Sequence, residues 1–196
     1  MAATPLSKIR RLELQKAAFE TAREFGFNDL TVQKVARHAG ISKGIVHHYF
    51  DSKHQLVEYA ARYAHKIVAT AARRKLRMVR SPSDRVWALI EANFLPEILT
   101  PEFFRLWFEV LENVRLLYLF DIFEHRMRSN LIFALRPLVG SKAGAAAYDI
   151  MNFYDGFYVL ASVDASITRE TMLTSIAEYI KVVVPEFDLD AVRLNV

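Results

Sequence analysis

TVQKVARHAGISKGIVHHYFDSK, residues 31–53, reads as two short helices joined by a tight turn. Thr31 is a good N-cap, and Val32, Val35, Ala36 and Ala39 recur at helical spacing, which gives the first helix one inward face. Gly40 stands where a left-handed residue would stop that helix. Ile41 plugs the corner, and Ser42 can cap a second helix through Val46 to Tyr49. Two helices crossing at a short Gly-containing turn make a helix-turn-helix, whose second helix enters the DNA major groove. On that second helix Lys43, Gly44, His47 and, at the edge, His48 face outward.

Thr31-Val32, Val35-Ala36, Ala39-Gly40-Ile41-Ser42, Gly44, Tyr49-Phe50, Lys53 and Leu56 together resemble the DNA-binding signature of the tetracycline-repressor (TetR) family, over roughly residues 8–60. The resemblance implies an all-α fold of about nine helices. Residues 1–50 would form a three-helix, helix-turn-helix DNA-binding domain, and residues 51–196 a larger ligand-binding and dimerisation domain. It also assigns roles. Thr31 would hold a phosphate, Gln33 and Lys43 would reach base edges, and Gly44 would let the backbone approach. His47, Tyr49 and Lys53 would anchor phosphates, with Ser42 and His48 beside them. His47 departs from the family, which most often has a tyrosine there. A histidine contact makes that hydrogen bond dependent on pH.

Charge agrees with this division. Residues 1–80 hold sixteen Lys and Arg against six Asp and Glu, a net of +10, and residues 81–196 hold ten against sixteen, a net of −6. A basic N-terminal part on an acidic remainder suggests that only the former faces a polyanion; the plainer alternative is an ordinary solvated basic surface. Cysteine is absent, so no disulfide or thiolate metal site is available. The N-terminus lacks the apolar stretch of a secretory signal, and no apolar run approaches the ~18 residues of a membrane span. The expectation is a cytoplasmic chain.

Taken in order, the pattern predicts a helix over 6–26 with Ile9, Leu12, Leu14, Ala17, Ala18, Thr21 and Phe25 inward, and with Lys8, Arg10 and Arg11 near its start. A long helix over about 53–79 follows, its second half, ATAARRKLRMVR, strongly basic. The resemblance makes it the link between reading head and sensor. A membrane-surface role for it is set aside, because its apolar face is largely alanine and would hold lipid weakly. Ser81–Asp84 reads as a loop, then a helix from about Asp84 to Leu95, broken by Pro96. Thr100-Pro101-Glu102 is a helix start, residues 116–138 form a further helix, Gly140 ends it and Ser141 can start the next.

Helices over about 142–163 and 168–184 are apolar on more than one face. A helix on the outside of a monomer needs one apolar face, so a second chain is expected over the other, giving a homodimer through the two C-terminal helices. Gly156 mid-helix costs about 1 kcal/mol against Ala, which makes sense where helices approach closely.

Seventeen of the 24 aromatic residues follow residue 80. Most simply fill a helical core, but the family keeps a small-molecule pocket there. Trp107-Phe108, His125-Arg126-x-Arg128-Ser129-Asn130-Leu131 and Asp155-Gly156-Phe157 further resemble its choline-responsive, betaine-pathway subgroup. That resemblance implies a quaternary ammonium ligand, caged by aromatic faces with carboxylates nearby. Phe104, Trp107, Phe108, Tyr154 and Tyr158 are the aromatic candidates, and Asp121, Glu124 and Asp155 the acidic ones. Another small or lipophilic effector is the competing reading, with Asp155 paired to Arg126 or Arg128 and Glu124 solvated.

Catalytic readings fail on spacing. His47 and His48 point apart on a helix, and Glu124-His125 lacks a second His at i,i+4. No Gly-rich phosphate loop, Gly-x-Ser-x-Gly elbow or Cys nucleophile occurs. No catalysis, cofactor or metal is expected. The sequence points to a one-component, small-molecule-responsive repressor that binds double-stranded DNA at an inverted-repeat operator. The rival is a helical ligand-binding or adaptor protein whose reading head no longer engages DNA.

Overall fold

The computed structural model describes residues 5–26, 29–112, 114 and 116–188; the side chains of 5–8, 102, 105, 106 and 109 are not described. The Leu6 or Ser7 start, Lys8 and the acid at Glu102 therefore lie outside the described side chains. Nine α-helices and one 3-10 turn make up the described residues, and no strand occurs among them. They are α1 (Pro5–Phe25), α2 (Val32–Ala39), α3 (Lys43–Tyr49), α4 (Lys53–Met78), α5 (Pro82–Glu91), α6 (Pro101–Glu112), α7 (Leu117–Val139), α8 (Ala143–Val163) and α9 (Arg169–Val183). The helices group into two compact units, Met1–Ile67 with Thr100–Asp121, and Val68–Leu99 with Ile122–Val196.

The first unit packs α1 to α3 and the front of α4 around Leu14, Ala18, Leu30, Val35, Val46, Phe50, Leu56 and Ala60, all essentially inaccessible. Each fully buried Leu, Val or Phe among them contributes about 1.5–3 kcal/mol of burial. Phe50 stacks edge-on to Tyr59 at 4.6 Å, and Phe19 tilts against Tyr63 at 5.5 Å, which pins α4 to α1 and α3. The expected inward face of α1 is shifted. Ile9 is 59% exposed and Phe25 37%, whereas Phe19 and Ala22, not singled out from the pattern, are buried. Lys34 Nζ sits 4.3 Å over the Phe25 ring, so Phe25 serves as a half-exposed cation–π partner rather than as core.

In the second unit two boundaries differ from expectation. Ser81 caps α5 by accepting from the Asp84 N–H at 3.0 Å, with Pro82 at the first helical position, so the expected loop over 81–84 is a helix start. At the other end α5 stops at Glu91 rather than Leu95. The Asn93 and Phe94 N–H groups close tight turns onto Ile90 and Glu91 carbonyls, at 2.9 and 3.1 Å. That leaves the Asn93 carbonyl free for the Tyr158 hydroxyl (2.6 Å) and the Phe94 carbonyl for Arg169 Nε (2.6 Å). Glu91 itself receives Lys75 at 2.5 Å and Arg169 at 3.2 Å. Residues 91–94 thus tie α4, α8 and α9 together. Tertiary hydrogen bonds outweigh the local helical signal there.

Thr100 accepts from the Phe103 N–H at 3.2 Å and opens α6 as expected. Gly140, at φ +57°, ends α7, but Ser141 does not cap α8: a 3-10 turn over Gly140–Lys142 leads into Ala143 without a side-chain cap. Thr168 caps α9 by accepting from the Thr171 N–H at 3.1 Å.

Candidate nucleic-acid interface and effector site

The helix-turn-helix is built by its caps. Thr31 Oγ1 accepts from the Lys34 N–H at 3.3 Å. Gly40 adopts φ 64°, ψ 30°, and the Gly40 and Ile41 N–H groups return to the Arg37 and Ala36 carbonyls at 3.2 and 3.1 Å. This paired closure satisfies the last carbonyls of α2 and needs a left-handed residue at Gly40. Ser42 Oγ then accepts from the Ile45 N–H at 3.4 Å and starts α3, while the Phe50 N–H closes it on the Val46 carbonyl at 3.0 Å. A contact from His38 Nε2 to the Glu24 carboxylate (2.8 Å) and an ion pair from Lys34 to Asp29 (3.6 Å) brace α2 from the preceding segment.

Val46 faces inward with no accessible surface, so the opposite side of α3 is fixed outward. Lys43, Gly44, His47 and His48 are exposed there, with Ser42 before them and Thr31 and Gln33 exposed at the start of α2. Lys53 is exposed at the first position of α4. Tyr49 is only half-buried; its ring meets His48 edge-on at 5.7 Å, and it lines a cleft of about 480 Å³ with Arg11, Asp51 and Arg62. Ile45, 46% exposed on the same helix, was missed by sequence reasoning, which sorted α3 by polarity. An outward apolar side chain on such a helix suits contact with a thymine methyl.

The aromatic and acidic candidates fall into two groups. Phe104, Trp107, Phe108 and Asp121 belong to the first unit. There Trp107 lies against Phe120 at 5.3 Å and Phe103 at 6.4 Å, Phe104 is buried, and Asp121 is exposed. Glu124, Tyr154, Asp155 and Tyr158 belong to the second unit. In it Tyr154, Tyr158 and Phe94 form a buried trio, with Phe94 parallel to Tyr158 at 5.6 Å and edge-on to Tyr154 at 6.0 Å. Asn93 and Phe94 are the members that sequence reasoning did not place here; they come from a turn read as ordinary helix.

The electrostatics of this second group are unusual. Tyr154 is fully buried, and its hydroxyl has no hydrogen-bond partner among the described residues. Burial first, and then the neighbouring charges of Asp155, Tyr158 and Glu124, push its pKa well above the ordinary range. Burial, and then the field of Glu124, raise the Asp155 carboxyl to about 7. Asp155 makes no ion pair with Arg126 or Arg128 among the described residues. Glu124 takes Arg128 at 3.4 Å and keeps only 14% of its side chain exposed, so it is not a solvated acid. The raised Asp155 carboxyl and the unsatisfied Tyr154 hydroxyl, held beside three aromatic rings, mark this cluster as a candidate binding site.

Comparison with known proteins agrees with the geometry. Residues 14–60, which span the helix-turn-helix and the front of α4, match the bacterial regulatory proteins of the tetR family. Over nearly its whole length the chain is similar to HTH-type transcriptional regulators named BetI. It is 27% identical over 178 residues to that of Brucella suis, covering 88% of this chain and 90% of that one. To that of Klebsiella pneumoniae it is 26% identical over 181 residues, covering 89% and 93%. Two solved structures share the fold. One is a transcriptional regulator from Saccharomonospora viridis in complex with choline (TM-score 0.73, 18% identity, 89% of this chain and 96% of that one). The other is a TetR transcription regulator from Haloarcula marismortui (TM-score 0.72, 18% identity, 90% and 99%). No helix of the described residues is long and apolar enough to cross a membrane. Residues 14–60 thus carry the DNA-binding module of the tetR family, and the chain as a whole is similar to HTH-type transcriptional regulators.

Proposed function

We propose that the chain is a cytoplasmic homodimeric repressor that binds an inverted-repeat operator and leaves it when a quaternary ammonium compound occupies the second unit. The observation that carries the DNA half is the capped α2–α3 pair, which turns Lys43, Gly44, His47 and His48 outward on one side of a seven-residue helix. Lys43, Gln33 and Ile45 meet base edges. Thr31, Ser42, His47, His48, Tyr49 and Lys53 hold phosphates on either side, and Gly44 lets the backbone come close. Residues 1–50 act as the reading head, and residues 51–196 as the sensing and dimerising part.

The dimer rests on α8 and α9. Val159 (52% exposed), Leu160 (48%) and Val163 (79%) on α8 and Val182 (76%) on α9 leave an exposed apolar face among the described residues. A Cβ added at Gly156 would meet nothing within 4 Å, so the close approach that explains a glycine there comes from a second copy. Two heads so joined read half-sites ~34–36 Å apart, one turn of the duplex.

Support for the effector comes from the Tyr154, Tyr158 and Phe94 trio with Asp155 and Glu124 beside it, and from the choline held by the Saccharomonospora viridis regulator. Ring faces and carboxylates are what an alkylated ammonium recognises. Its binding lowers operator affinity by favouring a dimer state in which the heads are wrongly spaced.

Two substitutions test the DNA half by salt-titrated gel shift on the duplex flanking the protein's own gene. Lys53→Ala is expected to weaken binding to every sequence and to reduce the salt slope by about 1. Lys43→Ala is expected instead to relax preference at one base pair, a difference of about 1–3 kcal/mol between sequences. A uniform loss from Lys43→Ala reassigns it to the backbone. An absence of any duplex binding by the wild type leaves the adaptor reading in place.

A further inference from the structure

The basic second half of α4 has not been absorbed by the reading head. Between Arg73 and Arg85 the chain carries five arginines and Lys75 against a single acid, Asp84. Lys75 points the other way and is spent on Glu91, which also receives Arg169. The one nearby carboxylate that accepts ion pairs therefore lies on the inner side. Arg73 donates only to the Thr70 hydroxyl at 3.2 Å, and Arg85 lies 5.8 Å from the Phe133 ring centre. Among the described residues none of Arg73, Arg74, Arg77, Arg80 and Arg85 has an ion pair.

This arrangement is unfavourable for the folded chain by itself. Arg73 and Arg77 are four residues apart on one helix face, a like-charge pair that destabilises a helix by about 0.2–0.5 kcal/mol. Favourable interaction with the helix C-terminus covers the last turn, where Arg77 sits, and a hydroxyl or a ring face, not a carboxylate, is what Arg73 and Arg85 meet. Thr70, Arg73, Arg74 and Arg77 are all exposed and follow the outer side of α4, and Arg80 continues just past its end. From Thr70 to Arg77 the helix rises about 10 Å, so cationic groups recur every 5–6 Å along a narrow line.

We propose that this stripe is a second, sequence-independent surface for duplex DNA, which lies along the phosphate backbone apart from the reading head. Guanidinium forks suit phosphate oxygens better than ammonium groups do, and all members of the stripe are arginines. A bilayer is the poorer fit. The apolar side of α4 is turned into the protein, and Met78, 80% exposed, is the one large apolar side chain the stripe offers for insertion. Each phosphate neutralised releases condensed counterion, so the stripe adds affinity and steepens its salt dependence without reading sequence.

The test uses the full-length chain carrying Arg73→Gln, Arg74→Gln and Arg77→Gln, with fluorescence anisotropy on a 30-base-pair duplex lacking the operator, titrated in KCl. The expected result is a slope of log K against log salt smaller by about 2–3 than wild type, at unchanged preference between operator and non-operator sequence. Thermal unfolding followed by circular dichroism checks the fold, which glutamine on an exposed helix face leaves intact. An unchanged slope overturns the proposal, and so does a loss confined to flotation with anionic phosphatidylglycerol vesicles. Lys53→Ala, run in parallel, separates the two ideas. If it lowers the slope and the arginine triple does not, the reading head stands and the stripe falls; if neither does, DNA binding itself is wrong.

Discussion

Leu160→Arg combined with Val182→Arg is expected to convert the protein to a monomer at micromolar concentration and to weaken operator binding at least a hundredfold. Both side chains are largely exposed in the single chain, at 48% and 76%, so arginine at either position adds no clash and little cost to the protomer fold. Placed against a second copy, the two residues meet themselves or their symmetry neighbours, because a two-fold interface uses the same patch twice. Four guanidiniums would then be crowded together and desolvated in an apolar interface, at several kcal/mol each. A standard interface of about 800 Å² per partner does not survive that. The effect on DNA follows from geometry: one head keeps one half-site and loses the second set of contacts. Light scattering after size exclusion reads the first outcome and a gel shift the second, with far-ultraviolet circular dichroism to confirm the helices. A double variant that stays dimeric, with operator affinity within threefold of wild type, removes α8 and α9 as the interface.

Locally determined features were legible in the sequence, and features set by distant packing were not. Thr31, Gly40 and Ser42 each act within four residues of themselves, so the turn between α2 and α3 and its left-handed glycine follow from residue types alone. The same holds for Thr100 before Pro101 and Thr168 before α9. The inward face of α1 was harder. Its apolar residues offer overlapping stripes, and the choice of Phe19 over Ile9 is made by Tyr63 on α4, forty-four positions away in sequence. The end of α5 was harder still. Nothing near Asn93 announces that its carbonyl will receive the Tyr158 hydroxyl, sixty-five residues on, and that bond, with Arg169 on Phe94, decides where the helix stops. The effector candidates show both cases. Tyr154, Asp155 and Tyr158 share a helix and were named as candidates by residue type, whereas Phe94 enters their cluster only through that turn.

Binding of choline is expected to strengthen by about thirtyfold between pH 5.5 and pH 8, and Asp155→Asn is expected to flatten that profile while weakening binding tenfold or more at pH 8. The carboxyl of Asp155 is held near 7 by its burial and then by Glu124, so the empty protein keeps a proton there through most of the acidic range. The native state binds this proton more tightly than the unfolded chain does. Its stabilising contribution is fully present below the ordinary 3.8 and is lost as pH rises through about 7. A quaternary cation needs the other form. It cannot donate a hydrogen bond to a neutral carboxyl, and its gain comes from charge against the ionised group and from the ring faces. Below pH 7 the cation therefore displaces the proton, and apparent affinity falls tenfold for each further unit; above pH 7 it levels. Isothermal titration calorimetry at pH 5.5, 6.5, 7.5 and 8.5 reads the affinity. Repeating the pH 6.5 measurement in two buffers of different ionisation enthalpy reads the released proton directly. With Asn at 155 the proton release should disappear, while the rings of Tyr154, Tyr158 and Phe94 keep residual binding. A profile that stays flat in the wild type, or an Asp155→Asn variant that binds as tightly as the wild type at pH 8, places the cation elsewhere than beside this carboxylate.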